Sequence, residues 1–251
     1  MELAPETLPE PFYACDQHAA IDLGGARVLF TTRRGGFSSG PYESLNLGRL
    51  TADRPEDVAR NRDFLQDKVG ARLAHIRQVH GTDVRRITEP PNGSGELPLF
   101  DGQATALPGV ATLVLTADCL PVAVAGDGAV AMLHAGWRGL AGGIIAEGVA
   151  ALRELGASGR LTAAIGPGAG PCCYEVGEDV HAEFAVRELD LRNGRNLDLK
   201  AIARAELERS GVEVVHDVGL CTICSDPSLL FSHRRDGGVT GRQAGVAWLS
   251  R

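Results

Sequence analysis

Cys119 and His134 stand on either side of a Gly-Asp-Gly in the stretch VLTADCLPVAVAGDGAVAMLHAGWRGL (residues 114–140), and both are metal-ligating residue types. A glycine-led two-residue loop at Gly126-Asp127, flanked by PVAVA and AVAML, reads as a β-hairpin. With that loop Cys119 directly opposes His134. A three-residue loop would move His134 one place off, and Pro121 already shows that the ladder is irregular. Directly opposed residues have Cβ atoms about 4.5–5.5 Å apart on one face, suited to one ion bound at about 2.0–2.3 Å. The alternative is a small apolar core thiol and a hydrogen-bonded core imidazole. His80 in RQVHGTDV is the candidate third ligand, because it sits where a strand gives way to a turn at Gly81. Two His and one Cys, with Met132 on the strand face of His134, are also a blue-copper set. The 7 histidines, however, include no H-x-H pair of the kind a multinuclear copper cluster requires, so at most one mononuclear site remains.

These residues need elements to hold them. ARVLFTT (26–32) reads as a strand, followed by the polar, glycine-rich RRGGFSSGPYESLNLG (33–48), too long for a turn and of the kind that binds something. DRPEDVARNRDFLQDKVG has Pro and two acids in a first turn and Val58, Leu65 and Val69 near whole helical turns, which predicts an amphipathic helix. A second helix is expected through LAGGIIAEGVAALREL (140–155), and two more over GEDVHAEFAVREL and LDLKAIARAELERS. TLVLT, PVAVA, AVAML, LTAAIG, VEVVHDVG and AGVAWLS are short β-type runs. Helices and strands mix without clean βαβ alternation, so the expected class is α+β (mixed α/β), with mixed sheets flanked by helices. The only sizeable break is EPPNGSGELP (89–98), and a single domain over residues 1–251 is the simpler reading.

Composition narrows the function. In 251 residues, 44% are hydrophobic and 23% charged, enough for a real core. A net charge of −7 disfavours general nucleic-acid or anionic-membrane binding and leaves a small ligand as the expected partner. The start, MELAPETLPEPFYACD, has neither a basic nor an apolar signal region, which predicts a cytoplasmic protein. Its 6 cysteines are then expected as thiols, metal ligands or catalytic groups rather than disulfides.

TTRRGGFSSGPYESLNLG, NR at Asn61-Arg62, RQVHGTDV, TADCLPV, HAGWRGL, IGPGAGPCCYEVGEDV and FSHRRDGGVTGRQAG follow one another from Thr31 to near the C-terminus. This ordered set resembles the laccase-domain, or multicopper polyphenol oxidase-like, family, regarded as zinc-dependent purine nucleoside phosphorylases with adenosine deaminase activity. The resemblance implies that His80, Cys119 and His134 are the metal ligands and catalytic centre, with Zn2+ as the cofactor and copper as the alternative. It implies purine nucleosides (adenosine, inosine, guanosine or methylthioadenosine) and phosphate as the small-molecule partners. It also places Arg33 and Asn46 on the substrate or phosphate side of the pocket. Ala203 departs from the pattern, since asparagine is usual there.

Three protein ligands with one open position is the arrangement of a catalytic zinc, which polarises an oxygen or lowers the pKa of a bound water towards about 7. Deamination would place oxygen at C6 of adenine and expel ammonia. Phosphorolysis needs phosphate beneath C1′ as charge builds on the ribose, and Arg33 is the expected clamp. Asp118 is expected in a structural role. Glu175 is a candidate acid/base without geometric support, and that role stays unassigned. A mononuclear copper phenol oxidase and a non-enzymatic zinc or partner-binding module, the latter with a closed fourth position, are the alternative functions. Cys221 and Cys224 in CTIC are expected to be packing residues, because no second pair follows, and Cys172-Cys173 to fill a turn after Pro171. His18, His75, His181, His216 and His233 are read as surface or locally bonded residues.

Overall fold

The structure is a computed structural model and describes residues 8–92 and 96–250. The middle of the 89–98 break and the first seven residues of the chain lie outside the described residues. In chain order the strands are β1 (Tyr13–Cys15), β2 (His18–Leu23), β3 (Ala26–Phe30), β4 (Arg72–Ala74), β5 (Val84–Ile87), β6 (Gly102–Thr105) and β7 (Val110–Thr116). They continue with β8 (Leu120–Asp127), β9 (Ala129–Ala135), β10 (Ser158–Ile165), β11 (Arg192–Asn193), β12 (Asn196–Leu197), β13 (Val212–Asp217) and β14 (Gln243–Leu249). The helices are α1 (Pro55–Val69), α2 (Trp137–Gly142), α3 (Ile144–Glu154), α4 (Glu178–Ala185) and α5 (Leu199–Arg209).

Two six-stranded sheets dominate, ordered β1-β2-β3-β14-β7-β4 and β13-β10-β8-β9-β6-β5. Both are mixed: β4 runs parallel to β7, β5 to β6 and β13 to β10, while the remaining pairs are antiparallel. The expected α+β class is what the chain adopts.

The layers follow from strand alternation. Ile21, Val28, Phe30 and Val114 of the first sheet meet Ala123, Val130, Met132 and Ala164 of the second in one core. The opposite face of the second sheet, with Val122, Val124 and Leu133, is covered by Ile145 and Leu152 of α3 and by Ile202 and Leu207 of α5. Leu65 and Val69 of α1 cover the outer face of the first sheet at Leu29, Leu113 and Val246. Pro55 at the helix start, Glu56 and Asp57 in the first turn and left-handed Gly70 at the end explain the limits of α1.

Two expectations are corrected. The helix predicted over 140–155 is broken at Gly143, whose φ of 98° ends α2 and begins α3. In the β8–β9 hairpin Pro121, not Cys119, pairs with His134, and Gly126 pairs with Ala129. The turn is therefore made by Asp127-Gly128, with Gly128 at φ 87°, because Asp-Gly is the better primed-turn dipeptide. The ladder slips by two places from the expected register. An even slip keeps residues on the same face.

Candidate metal centre

His80, Cys119 and His134 come together, with one donor atom from each lying within 4.8 Å of the others. Cys119 follows a bend between β7 and β8, His134 is the penultimate residue of β9, and His80 lies in the loop before β5. The imidazoles meet edge to face with ring centroids 4.9 Å apart. Gly136 leaves room for the sulfur, since a Cβ there would stand 2.8 Å from Cys119 Sγ and 3.5 Å from His80 Cδ2. His134 is buried and His80 exposed, so the trio is open on the His80 side.

Asp101, fully buried, organises the cluster. One of its oxygens accepts from His134 Nδ1 at 2.8 Å, which leaves Nε2 as that residue's free donor atom. The same carboxylate accepts from the backbone N–H groups of Val79 (3.1 Å), His80 (2.9 Å) and Gly81 (2.6 Å). Those bonds hold the His80 loop, whose φ of 59° is unusual for a non-glycine residue. Burial raises the Asp101 carboxyl, but the His134 bond and the amides outweigh it and hold it below the usual range. Burial likewise pushes the Cys119 thiol up, and the charge and hydrogen bonds of His134 and His80 more than offset this, bringing it down to about 6. Against its own burial, His134 is raised to about 9 by Cys119 and Asp101. A thiolate, two imidazoles and a carboxylate orienting one of them form a donor set that fits a divalent ion such as zinc.

Asp118 has the structural role expected of it. At φ 93°, it accepts from Thr222 Oγ1 at 2.6 Å and from the Arg234 backbone N–H at 2.7 Å, anchoring the bend that presents Cys119. Glu175 pairs with Arg195 at 2.7 Å. Arg33 donates through Nε to Glu43 O, through Nη1 to Pro227 O (2.8 Å) and through Nη2 to Pro41 O (3.2 Å), and its guanidinium lies over Phe231. Asn46 is fully buried. Its amide donates to Thr51 and Asp53 and accepts from the Gly48 and Arg242 backbone N–H groups, so its bonding capacity is filled. Both residues hold the 33–48 loop in shape. Asn61 and Arg62 tie the same loop to α1 through Phe37 N, Asn46 O and Leu47 O.

Two further residues feel the charge on Cys119. Burial, then the charge on Cys119, push the Tyr174 hydroxyl up to about 12, against Arg234 and Arg138. Burial lowers Arg242, opposed by Asp118 and Cys119, whose charges are close enough to act on it. Arg242 was hidden because an arginine in GRQAG looks like any solvated cation. Asp101 was hidden because nothing local in the sequence marks a buried carboxylate.

The sequence motifs around this centre match the model of the multi-copper polyphenol oxidoreductase laccase family over residues 27–250. The chain belongs to that family. A purine nucleoside phosphorylase of Xylella fastidiosa is 42% identical over 245 residues, covering 90% of this chain and 93% of that one. A purine nucleoside phosphorylase of Streptomyces coelicolor is 41% identical over 239 residues, covering 90% and 97%. Among solved structures, a Neisseria meningitidis protein is 38% identical with a TM-score of 0.84, covering 93% of this chain and 99% of its own. A Bacillus licheniformis protein is 31% identical with a TM-score of 0.88, covering 96% and 100%. The two-sheet architecture is thus shared with both of these solved structures.

The other cysteines gather in a way the sequence does not show, although Cys172 and Cys173 do lie in a turn after Pro171. Cys172, Cys173, Cys221 and Cys224, expected as packing and turn-filling residues, gather with all four sulfurs within 4.8 Å of one another. The CxxC does have its second pair, contributed by adjacent residues far upstream in the chain. The scattered histidines divide between the two expected roles: His18 and His181 are buried and locally bonded, His18 Nδ1 accepting from the Thr32 N–H at 3.2 Å and His181 Nδ1 lying 2.8 Å from Asp190, whereas His233 is exposed.

Proposed function

We propose that this protein is a zinc-dependent purine nucleoside phosphorylase that also deaminates adenosine, carried by a single domain over residues 1–251 and acting in the cytoplasm. The convergence of His80, Cys119 and His134 on one point, open on the His80 side, carries the reading. The relatives named purine nucleoside phosphorylase support the reaction class, and the free thiols of the cysteines suit a reducing compartment.

Phosphorolysis replaces the C1′–N9 bond of a purine nucleoside by a C1′–O bond to phosphate, releasing the base. A zinc ion on the trio would supply Lewis-acid polarisation of an oxygen. Cys119 contributes the anionic donor, and Asp101 fixes the tautomer that aims His134 Nε2 inward. Arg242, whose guanidinium is held by Nη1 bonds to Thr240 O (3.0 Å) and Gly241 O (2.9 Å) and which feels the charge on Cys119, is the cation we assign to the phosphate. We keep Arg33 and Asn46, through the 33–48 loop they hold in shape, on the substrate or phosphate side of the centre. Tyr174 Oη keeps its proton throughout the neutral range, and we assign it as the donor to the departing base. Adenosine deamination at the same centre exchanges the C6 amine for oxygen from water and releases ammonia.

Incubating the purified protein with inosine or adenosine, with and without phosphate and a chelator, tests the reading. Hypoxanthine formed from inosine only with phosphate, and lost with chelator, is the expected result. Ammonia released from adenosine is expected with the same metal requirement. Bound copper with phenol oxidation and no purine product would overturn the reading. Cys119→Ala is expected to abolish turnover and to lose the metal at this centre.

A further inference from the structure

We infer that Cys172, Cys173, Cys221 and Cys224 form a second metal site, a closed tetrathiolate zinc centre with a structural role, separate from the His80–Cys119–His134 centre. Zinc binds thiolates at about 2.3 Å, so a tetrahedral site of four cysteines sets its sulfurs about 3.8 Å apart. The four sulfurs here all lie within 4.8 Å of each other, and Cys172 Sγ and Cys224 Sγ are 3.4 Å apart. None of the four is in a disulfide. A purely packing role suits this cluster poorly, because Cys172 and Cys224 are exposed and the other two only half-buried.

The backbone offers the Cys221 sulfur an N–H donor of the kind found around metal-bound thiolates. The Gly170 N–H donates to Cys221 Sγ at 3.3 Å. Such N–H groups stabilise the thiolate over the thiol. Gly170 also packs closely against the cluster, since a Cβ there would stand 3.2 Å from Cys221 Cβ, 3.3 Å from Cys172 Sγ and 3.4 Å from Cys221 Sγ. The two cysteine segments are joined by Gly168 N–H to Leu220 O (3.3 Å) and Thr222 N–H to Gly168 O (3.0 Å), and the chain turns back through Ser225 N–H to Cys221 O (3.1 Å). The two pairs are therefore in register before any metal arrives.

Binding is a ligand exchange without redox change: four thiols give four protons to solvent, four Zn–S bonds form, and the water shell of the ion is released. The consequence reaches the first centre. Ala169, between the joined segments, donates its N–H to Asp118 O at 2.7 Å, and Thr222, inside the CxxC, donates to the Asp118 side chain at 2.6 Å. A clip across these segments fixes the residue immediately before Cys119.

The test is metal stoichiometry and cobalt spectroscopy on the full chain, expressed with zinc or reconstituted anaerobically with Co2+. Wild-type protein is expected to hold about two ions per chain. Cys119→Ala and, independently, His80→Ala are expected to hold about one, whose cobalt form shows the intense sulfur-to-cobalt charge-transfer band and d–d pattern of a four-sulfur tetrahedron. Cys172→Ser with Cys224→Ser is expected to lose that spectrum and to keep about one ion on the trio. Cys173→Ser alone is expected to fold with a three-sulfur spectrum and at least a tenfold loss of affinity against a chelator. A Cys119→Ala or His80→Ala protein that is folded by circular dichroism yet binds no Co2+, or a Cys172–Cys224 disulfide found by mass spectrometry in the anaerobic wild type, would overturn the inference.

Discussion

Asp101 is where the chemistry of the centre is decided. Its carboxylate joins three backbone amides of the His80 loop to the Nδ1 of His134, so one buried side chain sets the position of two of the three donors. Asp101→Asn keeps the shape but removes the charge and puts an amide N–H among groups that need acceptors. Metal affinity at the trio should fall about 10–100-fold, read by competition with a chelator. Unchanged affinity would show that Asp101 serves the loop alone. Cys119 and His134 were legible in the sequence as a hairpin pair of ligating residue types, whereas His80, weak by itself in a loop, joined them through the family resemblance. Asp101 was not, since a carboxylate before a β-strand is ordinary until burial makes it costly to leave unpaired.

The hairpin and the turn into α2 do the positioning at the level of elements. Choosing Gly126-Asp127 over Asp127-Gly128 displaced the ladder by two places, yet the trio survived because the sheet has a period of two. Facing is thus more legible than opposition. The strands and α1 were legible from alternation and caps, whereas the break at Gly143 was not, because a left-handed glycine inside an apolar run looks the same in sequence as a glycine tolerated in a helix. Gly136 sits at the end of this hairpin with an ordinary φ of −75°, so alanine fits its backbone. The added methyl would stand 2.8 Å from Cys119 Sγ. Gly136→Ala should therefore lose metal and turnover while its melting temperature, measured on metal-free protein, shifts by only a few degrees. Full metal retention would mean that the sulfur has more freedom than the packing indicates.

Across the whole molecule, two sheets face each other and two helical layers cover them, and this arrangement buries some titratable groups in their neutral form. Burial, assisted by Lys68, lowers His18 to about 4, and burial with Arg62 and Arg49 lowers His75 to about 3. In the unfolded chain both return to near 6.5. Below that value the unfolded state binds more protons than the folded one, so stability is full above about pH 6.5 and declines as the pH falls towards the folded values. The limiting slope is about 1.4 kcal/mol per pH unit for each histidine. Urea midpoints should fall between pH 7 and pH 5, and His75→Gln should have the shallower decline. A midpoint that rises on acidification would contradict this burial.

The proposed phosphorolysis and the proposed cysteine site both depend on where metal sits, and anomalous diffraction from crystals at the zinc edge addresses that directly. The account predicts a peak about 2.0–2.3 Å from His80, Cys119 Sγ and His134 Nε2, with a second among the four clustered sulfurs. A folded, catalytically active crystal with no anomalous density at the trio would contradict it.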